Sequence, residues 1–339
     1  MSDRILWVDY LRAIACLCVV LLHVSVIYVL NIEKIDDNNF SNWILSDYLN
    51  SITRICVPIF FMISGYFFFS EKKPKVKNFM RLFLSLLFYS LMAYVMYFTS
   101  SFLFSDSKNI KYNFFSEPAF YHLWFFYPLI VIYLLSSFVK IRNDSAMLGF
   151  ILISFIFVFL SKNLSVLTDI SFGFSFDNFF SIDGSFVFYF LYAVAGACIG
   201  NIDIKKYNIS SLFLILMIII PSIIIAYLTY VKTMEKGYYF DVLFSFTSPL
   251  VYIMSISMFV LFIKISDRLN PSRVINLLSR NSLAIYGTHA FFIAILAKIF
   301  KYQNGNAFVF IPIVFVITLL CSIFSSILIK LIDKKGYVS

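Results

Sequence analysis

Long apolar runs separated by short polar gaps repeat from one end of the chain to the other. A helix that crosses a hydrocarbon layer needs roughly 20 mostly apolar residues. On that measure the pattern predicts ten spans, at about 7–30, 45–69, 81–104, 120–139, 146–161, 183–200, 209–230, 243–263, 282–300 and 307–330. The expected fold is therefore all-α, a polytopic bundle of about ten transmembrane helices. The longest polar stretches, near 31–44, 105–119 and 162–182, are too short to bury a core of their own, so any chemistry is expected inside the bundle. The first run carries Arg12 within it and shows no small-residue cleavage site, which argues for a retained span rather than a leader.

Composition agrees with this reading. The 339 residues are 61% hydrophobic and 13% charged with a mean hydropathy of +0.89, whereas a soluble domain is about half apolar and a quarter charged. The net charge of +9 would raise the question of nucleic acid, but its distribution is topological. With the N-terminus inside, the expected cytoplasmic segments hold 17 of the Lys and Arg residues and the opposite face 8, while Arg12 and Arg54 lie within spans. Both termini are thus expected in the cytoplasm, with membrane lipids as partners and no nucleic acid. The five cysteines lie in apolar runs without metal-ligand spacing, so they are read as reduced packing residues and no metal is expected. Pro58, Pro128, Pro221, Pro249 and Pro312 are expected inside spans, where each favours a kink. Gly196 and Gly200 form a GxxxG pair that helix packing explains.

Ionisable side chains within spans cost on the order of 2.5–3.5 kcal/mol each, so they are functional candidates. The first span carries Asp9, Arg12 and His23. Arg12 and His23 are eleven residues apart, which returns to within about 20° of one helix face and separates them by roughly 16 Å along the axis. This arrangement suits a coenzyme-A thioester, with phosphates near the arginine and the reacting carbon near an imidazole that takes a proton from an attacking hydroxyl. The bland alternative is an i, i+3 Asp9–Arg12 pair at a helix end and a packed histidine. Arg54, in the outer half of the second span, needs a partner that is either an anion, an oxyanion or sugar diphosphate, or the backbone carbonyls around it. His122 and Trp124 fall near the outer interface, where Trp is also a membrane anchor, and Tyr286 and His289 share a face. The cation-rich loop from Glu71 to Arg81 suits phosphates or acidic lipid headgroups.

Taken in order, four segments resemble the integral-membrane acyltransferase family 3 along essentially the whole chain. They are the opening Trp7, Asp9, Leu11, Arg12 and His23; the stretch from Pro58 through Ser64 to Tyr66; the His122–Leu123–Trp124–Phe125 segment; and Ser282, Tyr286 and His289. The chain is most similar to the enterobacterial-common-antigen O-acetyltransferase group, which lacks an appended extracytoplasmic domain. The resemblance implies one transmembrane acyltransferase domain over residues 1–339 in a bacterial inner membrane. It implies acetyl-CoA as donor, His23 as catalytic base with Asp9 as a second catalytic candidate, and a hydroxyl of a surface or lipid-linked glycan as acceptor. Arg12 and Arg81 are then donor-binding, with Lys77 standing in where the family pairs two arginines. Arg54, Ser64, His122, Trp124, Tyr286 and His289 are the corresponding substrate-binding candidates. A transporter or flippase for a lipid-linked sugar is the alternative, since it also uses buried Arg and His and many spans.

Overall fold

The computed structural model describes residues 5–30, 39–69, 74–104, 117–139, 146–159, 185–301 and 305–338, and every regular element among them is helical. The helices are α1 (Leu6–Val29), α2 (Phe40–Thr53), α3 (Cys56–Phe68), α4 (Val76–Phe104), α5 (Phe126–Ser136), α6 (Ala146–Phe159), α7 (Ser185–Asn201), α8 (Ser211–Lys236), α9 (Pro249–Lys264), α10 (Arg273–Phe300) and α11 (Ala307–Ile332). A 3-10 turn at Tyr121–Phe125 runs directly into α5. Among the described residues, seven helical stretches are long and apolar enough to cross a membrane, α2 and α3 together making one of them. Three shorter apolar ones, Tyr121–Ser136, Met147–Ile156 and Phe186–Asn201, occupy the other expected places. The chain is a multi-pass membrane protein. Most of the polar stretches, together with Lys72 and Lys73 of the cation-rich loop, lie outside the described residues.

α1 is the axis of the bundle. None of its residues is exposed, and it packs against α2, α3, α9, α10 and α11. Val8, Leu11, Ala15, Val19 and Leu22 join one buried apolar cluster, while Ala13, Cys16, Val20 and Val24 join a second on the other side. A helix apolar on all sides has no solvent stripe to orient it and is stable only when enclosed. Its polar residues consequently meet protein rather than lipid, as Asp9 does by accepting a 2.6 Å hydrogen bond from Ser279 of α10.

Lipid tails are as apolar as leucine, so helices in a membrane associate by close packing and interhelical hydrogen bonds. The α3–α7 contact shows the first. A Cβ on Gly65 would lie 1.7 Å from the carbonyl oxygen of Ala193, and one on Gly196 2.1 Å from that of Met62, so only glycine lets the two backbones touch. Gly200 receives the ring of Tyr66, which accounts for the rest of the GxxxG pair. The second appears along α11, where Thr318, Ser322 and Ser326 are fully buried at i, i+4, i+8 and Ser326 donates to Asn281 of α10.

Three sequence expectations shift. The second span starts at Phe40 and is broken at Arg54 and Ile55, so it is two helices rather than one from 45 to 69. The residues before 45 are tied to the protein because Trp43 donates to the Val29 carbonyl and Asn42 accepts from the Ala307 amide. The ninth span begins at Arg273 instead of 282, started by the Ser272 side chain accepting from the Ile275 amide. Of the five prolines, Pro221 and Pro312 lie inside helices, but Pro249 is the first residue of α9, and Pro58 and Pro128 sit in the first turns of α3 and α5. Proline is tolerated there because the first-turn amide has no intrahelical acceptor to lose.

The α3–α7 contact makes a direct prediction. Overpacking a close contact costs typically about 1–3 kcal/mol, so Gly196→Val lowers the thermal unfolding midpoint of the purified protein by several degrees. Gly149→Val, where an added Cβ meets nothing within 4 Å, leaves it nearly unchanged; equal midpoints for the two variants would refute the contact.

Candidate functional site

A cavity of about 630 Å³ opens between α1, α3, α4, α5 and α10. Its size falls in the range of small-molecule sites, about 300–1,000 Å³. At one end Arg12, Arg81 and Arg280 line it together with Asn78; Asp9, Ser64 and Ser279 add polar groups, and Phe125 and Tyr286 close the inner end. Three helices thus supply one guanidinium each. The Arg12 guanidinium carbon lies 5.3 Å from the centre of the Phe67 ring, which holds its planar head against the α3 wall. Ser64 donates to the Phe60 carbonyl at 2.9 Å and is hydrogen-bonded to Tyr133.

Behind Tyr286 the three histidines of the chain converge, one each from α1, the 3-10 turn and α10. His289 lies with its ring centre 5.2 Å from that of His23 and 5.1 Å from that of His122, and Tyr286 is 5.6 Å from His122 and 5.7 Å from His289. His23 also meets Tyr121 at 5.0 Å and is hydrogen-bonded to none of the described residues.

Backbone carbonyls fix the other two rings. His289 Nδ1 lies 2.7 Å from the Tyr286 oxygen and 3.2 Å from that of Ile285, and His122 Nε2 lies 3.2 Å from the Gly287 oxygen. A carbonyl only accepts, so these nitrogens carry the hydrogens. In the neutral rings His289 Nε2 and His122 Nδ1 are then bare lone pairs, and both are buried with no hydrogen-bond partner among the described residues. The Tyr286 hydroxyl donates to the His122 carbonyl, tying the 3-10 turn to α10. Two of the three rings are committed to backbone bonds, and among the described residues no group of His, Cys, Asp or Glu is arranged to hold a metal ion.

Arg54 sits in the break between α2 and α3. Its Nε donates to Asn50 Oδ1 at 3.0 Å, a second donation comes from Nη2, and its face covers Phe244 at 4.8 Å and Phe246 at 5.9 Å. Asn50 Nδ2 in turn reaches the carbonyl of Leu22, the residue before His23, at 3.5 Å. Arg54 is within electrostatic reach of both His23 and Asp47. Trp124 stacks on Phe246 at 5.9 Å, so Arg54 and Trp124 share one aromatic neighbour.

The sequence candidates accordingly separate into three connected groups. Asp9, Arg12, Ser64, Arg81 and Tyr286 line the cavity; His23, His122 and His289 gather behind Tyr286; Arg54 and Trp124 flank Phe246. Two candidates stand apart from the histidines. Asp9 is fourteen residues from His23 on α1, about 21 Å along the axis, and it serves Ser279 rather than the imidazole. Lys77 is exposed, packs over the Tyr337 ring at 5.8 Å and does not line the cavity.

Sequence reasoning missed Arg280, Asn78 and Asp47. Arg280 was counted as a loop cation because the ninth span was started at 282, yet Ser279, Ser282, Leu283 and Tyr286 recur at helical spacing and all line the cavity. Asp47 is 1% exposed and its Oδ1 has no hydrogen-bond partner among the described residues. Its position only two residues inside the expected start of the second span hid it.

A family model described as an acyltransferase domain matches residues 5–327. No curated protein and no solved structure matches the chain. The match runs through every element that carries the cavity and the histidines, from α1 to α11, and the chain belongs to the acyltransferase 3 family.

Proposed function

We propose that this membrane acyltransferase moves an acetyl group from acetyl-CoA to a hydroxyl of a bacterial surface or lipid-linked glycan. The observation that carries the reading is the 630 Å³ cavity itself, which has three guanidinium groups at one end and ends at a tyrosine in contact with two histidines. Coenzyme A has that asymmetry: phosphates at one end and a thin uncharged arm at the other. Arginine matches phosphate geometry with several donors at once. Phe60, Phe67 and Phe125 along the walls suit the arm.

In the reaction the acceptor oxygen attacks the thioester carbonyl carbon, the C–S bond breaks, and the acetyl group leaves on oxygen. The hydroxyl proton passes to an imidazole, and the departing thiolate takes a proton to become the thiol. His23 is the base in this scheme, with a ring that no backbone bond holds among the described residues. His289 is a positioning residue: in the reacting arrangement its Nε2, which has no partner among the described residues, takes the N–H of His23 and selects the tautomer whose other nitrogen faces the hydroxyl. Arg54 and Trp124 belong to the acceptor side, where Trp124 offers a flat face to a sugar ring and Arg54 a cation to a lipid-linked diphosphate. The arginine end of the cavity opens to the cytoplasm in this reading, as the positive-inside bias expects.

Three measurements test it. His23→Ala lowers kcat for acetyl transfer in proteoliposomes by about 10²–10⁴-fold, the range of a lost general base, without shifting the unfolding midpoint; near-normal turnover in a folded variant would remove His23 from the chemistry. His289→Phe, which keeps the volume and loses the lone pair, lowers kcat by about tenfold or more while KM for acetyl-CoA stays put; a rise in KM alone would make it a binding residue. Arg12→Gln raises KM for acetyl-CoA by about 10–100-fold, the value of one hydrogen bond to a charged group, but leaves use of acetyl-pantetheine unchanged. Equal losses on both donors would mean that Arg12 touches no phosphate. The acceptor is read by mass spectrometry of surface glycans from cells with and without the gene, where loss of acetyl esters identifies the sugar.

A further inference from the structure

A second concavity, of about 410 Å³, lies on the outer side of the bundle at the arginine end, between the first turns of α10 and the last turns of α11. Arg273, Asn276 and Arg280 come to it from α10 and Lys330 from α11. No carboxylate lies within ion-pairing distance of Arg273, Arg280 or Lys330 among the described residues. Lys330 is instead within electrostatic reach of both Arg81 and Arg280, and its contact is with the neutral side chain of Asn281. Three cations in one pocket, Arg273, Arg280 and Lys330, with no carboxylate at ion-pairing distance among the described residues, call for an anion.

The rest of the pocket says which anion. Leu277, Ile327 and Leu331 line it and are 42%, 48% and 68% exposed, and Ile332 at the helix end is 88% exposed. A strip of apolar surface thus runs from the cations along the lipid-facing side of α11. The Oδ1 of Asn276, which lines the same pocket, has no hydrogen-bond partner among the described residues. A site cationic at its head, apolar along its wall and open sideways has the shape of a phospholipid. Basic pockets between membrane helices at one face are where anionic headgroups are held.

We infer that this pocket binds an anionic phospholipid: Arg273, Arg280 and Lys330 hold the phosphate, Asn276 accepts from a headgroup hydroxyl, and one acyl chain lies against Ile327 and Leu331. Arg280 also lines the large cavity. The lipid phosphate therefore neutralises one side of a guanidinium whose other side faces the proposed donor path.

The test uses the full-length protein in detergent, with phosphatidylglycerol or phosphatidylcholine of the same chains added and bound lipid read by native mass spectrometry. The wild type retains phosphatidylglycerol in preference. The double variant Arg273→Gln with Lys330→Gln leaves Arg280 in place, and the amide that replaces the lysine head can still donate to Asn281. It loses the preference by roughly 25-fold, each basic residue near an anionic surface being worth about fivefold. Lys236→Gln, at the far end of α8, keeps it. Equal retention of the two lipids by the wild type, or an unchanged preference in the double variant, overturns the inference. So does retention of added inorganic phosphate with no discrimination between lipids, which would make this a free-phosphate site. Loss of coenzyme-A adducts in the double variant with phosphatidylglycerol retention intact would instead make the pocket an annex of the donor cavity.

Discussion

The enclosure of α1 is the constraint on which the rest depends. A helix carrying Asp9, Arg12 and His23 cannot face hydrocarbon without a cost of several kcal/mol, and the bundle removes that cost by surrounding α1 with five other helices. Enclosure then dictates what the polar residues see. Asp9 meets Ser279, Arg12 faces a cavity, and His23 meets His289, all across the α1 contacts with α3 and α10. The α3–α7 glycine contact belongs to the same logic, because α3 packs against both α1 and α7 and its position fixes one cavity wall.

The fold was legible because its signal is coarse. A run of apolar residues needs no partner to be recognised, and every one of the ten runs contains a helix. Boundaries were less legible where polar residues meet protein: Ser41 and Asn42 look like a loop approaching the second span, yet both belong to α2, and Asn42 accepts from the Ala307 amide. Charge alone hid the first turns of α10, where Arg273 and Arg280 are exposed.

The site was legible in one dimension only. Arg12 and His23 share a helix, so helical geometry alone fixes their spacing. The convergence of His23, His122 and His289 joins positions far apart in the chain, and no local pattern encodes it. Arg280 joined Arg12 and Arg81 for the same reason. Where the chain departs from a paired-arginine motif before α4, Arg280 reaches the cavity from another helix, while Lys77 lies over the Tyr337 ring.

The backbone bonds of the histidines decide how the cluster can work. An imidazole whose Nδ1–H is held by two carbonyls, as in His289, presents a single lone pair in a fixed direction and cannot turn to shuttle a proton between two partners. His122 is fixed in the opposite sense, through Nε2. A ring that picks up a proton on one nitrogen needs a neighbour that steadies the other, and in the proposed reaction the bare Nε2 of His289 is that neighbour for His23, the ring centres lying 5.2 Å apart. In that proposed reaction the order of roles, one ring that exchanges protons and two that define its surroundings, rests on which rings the backbone has fixed rather than on proximity, which all three share.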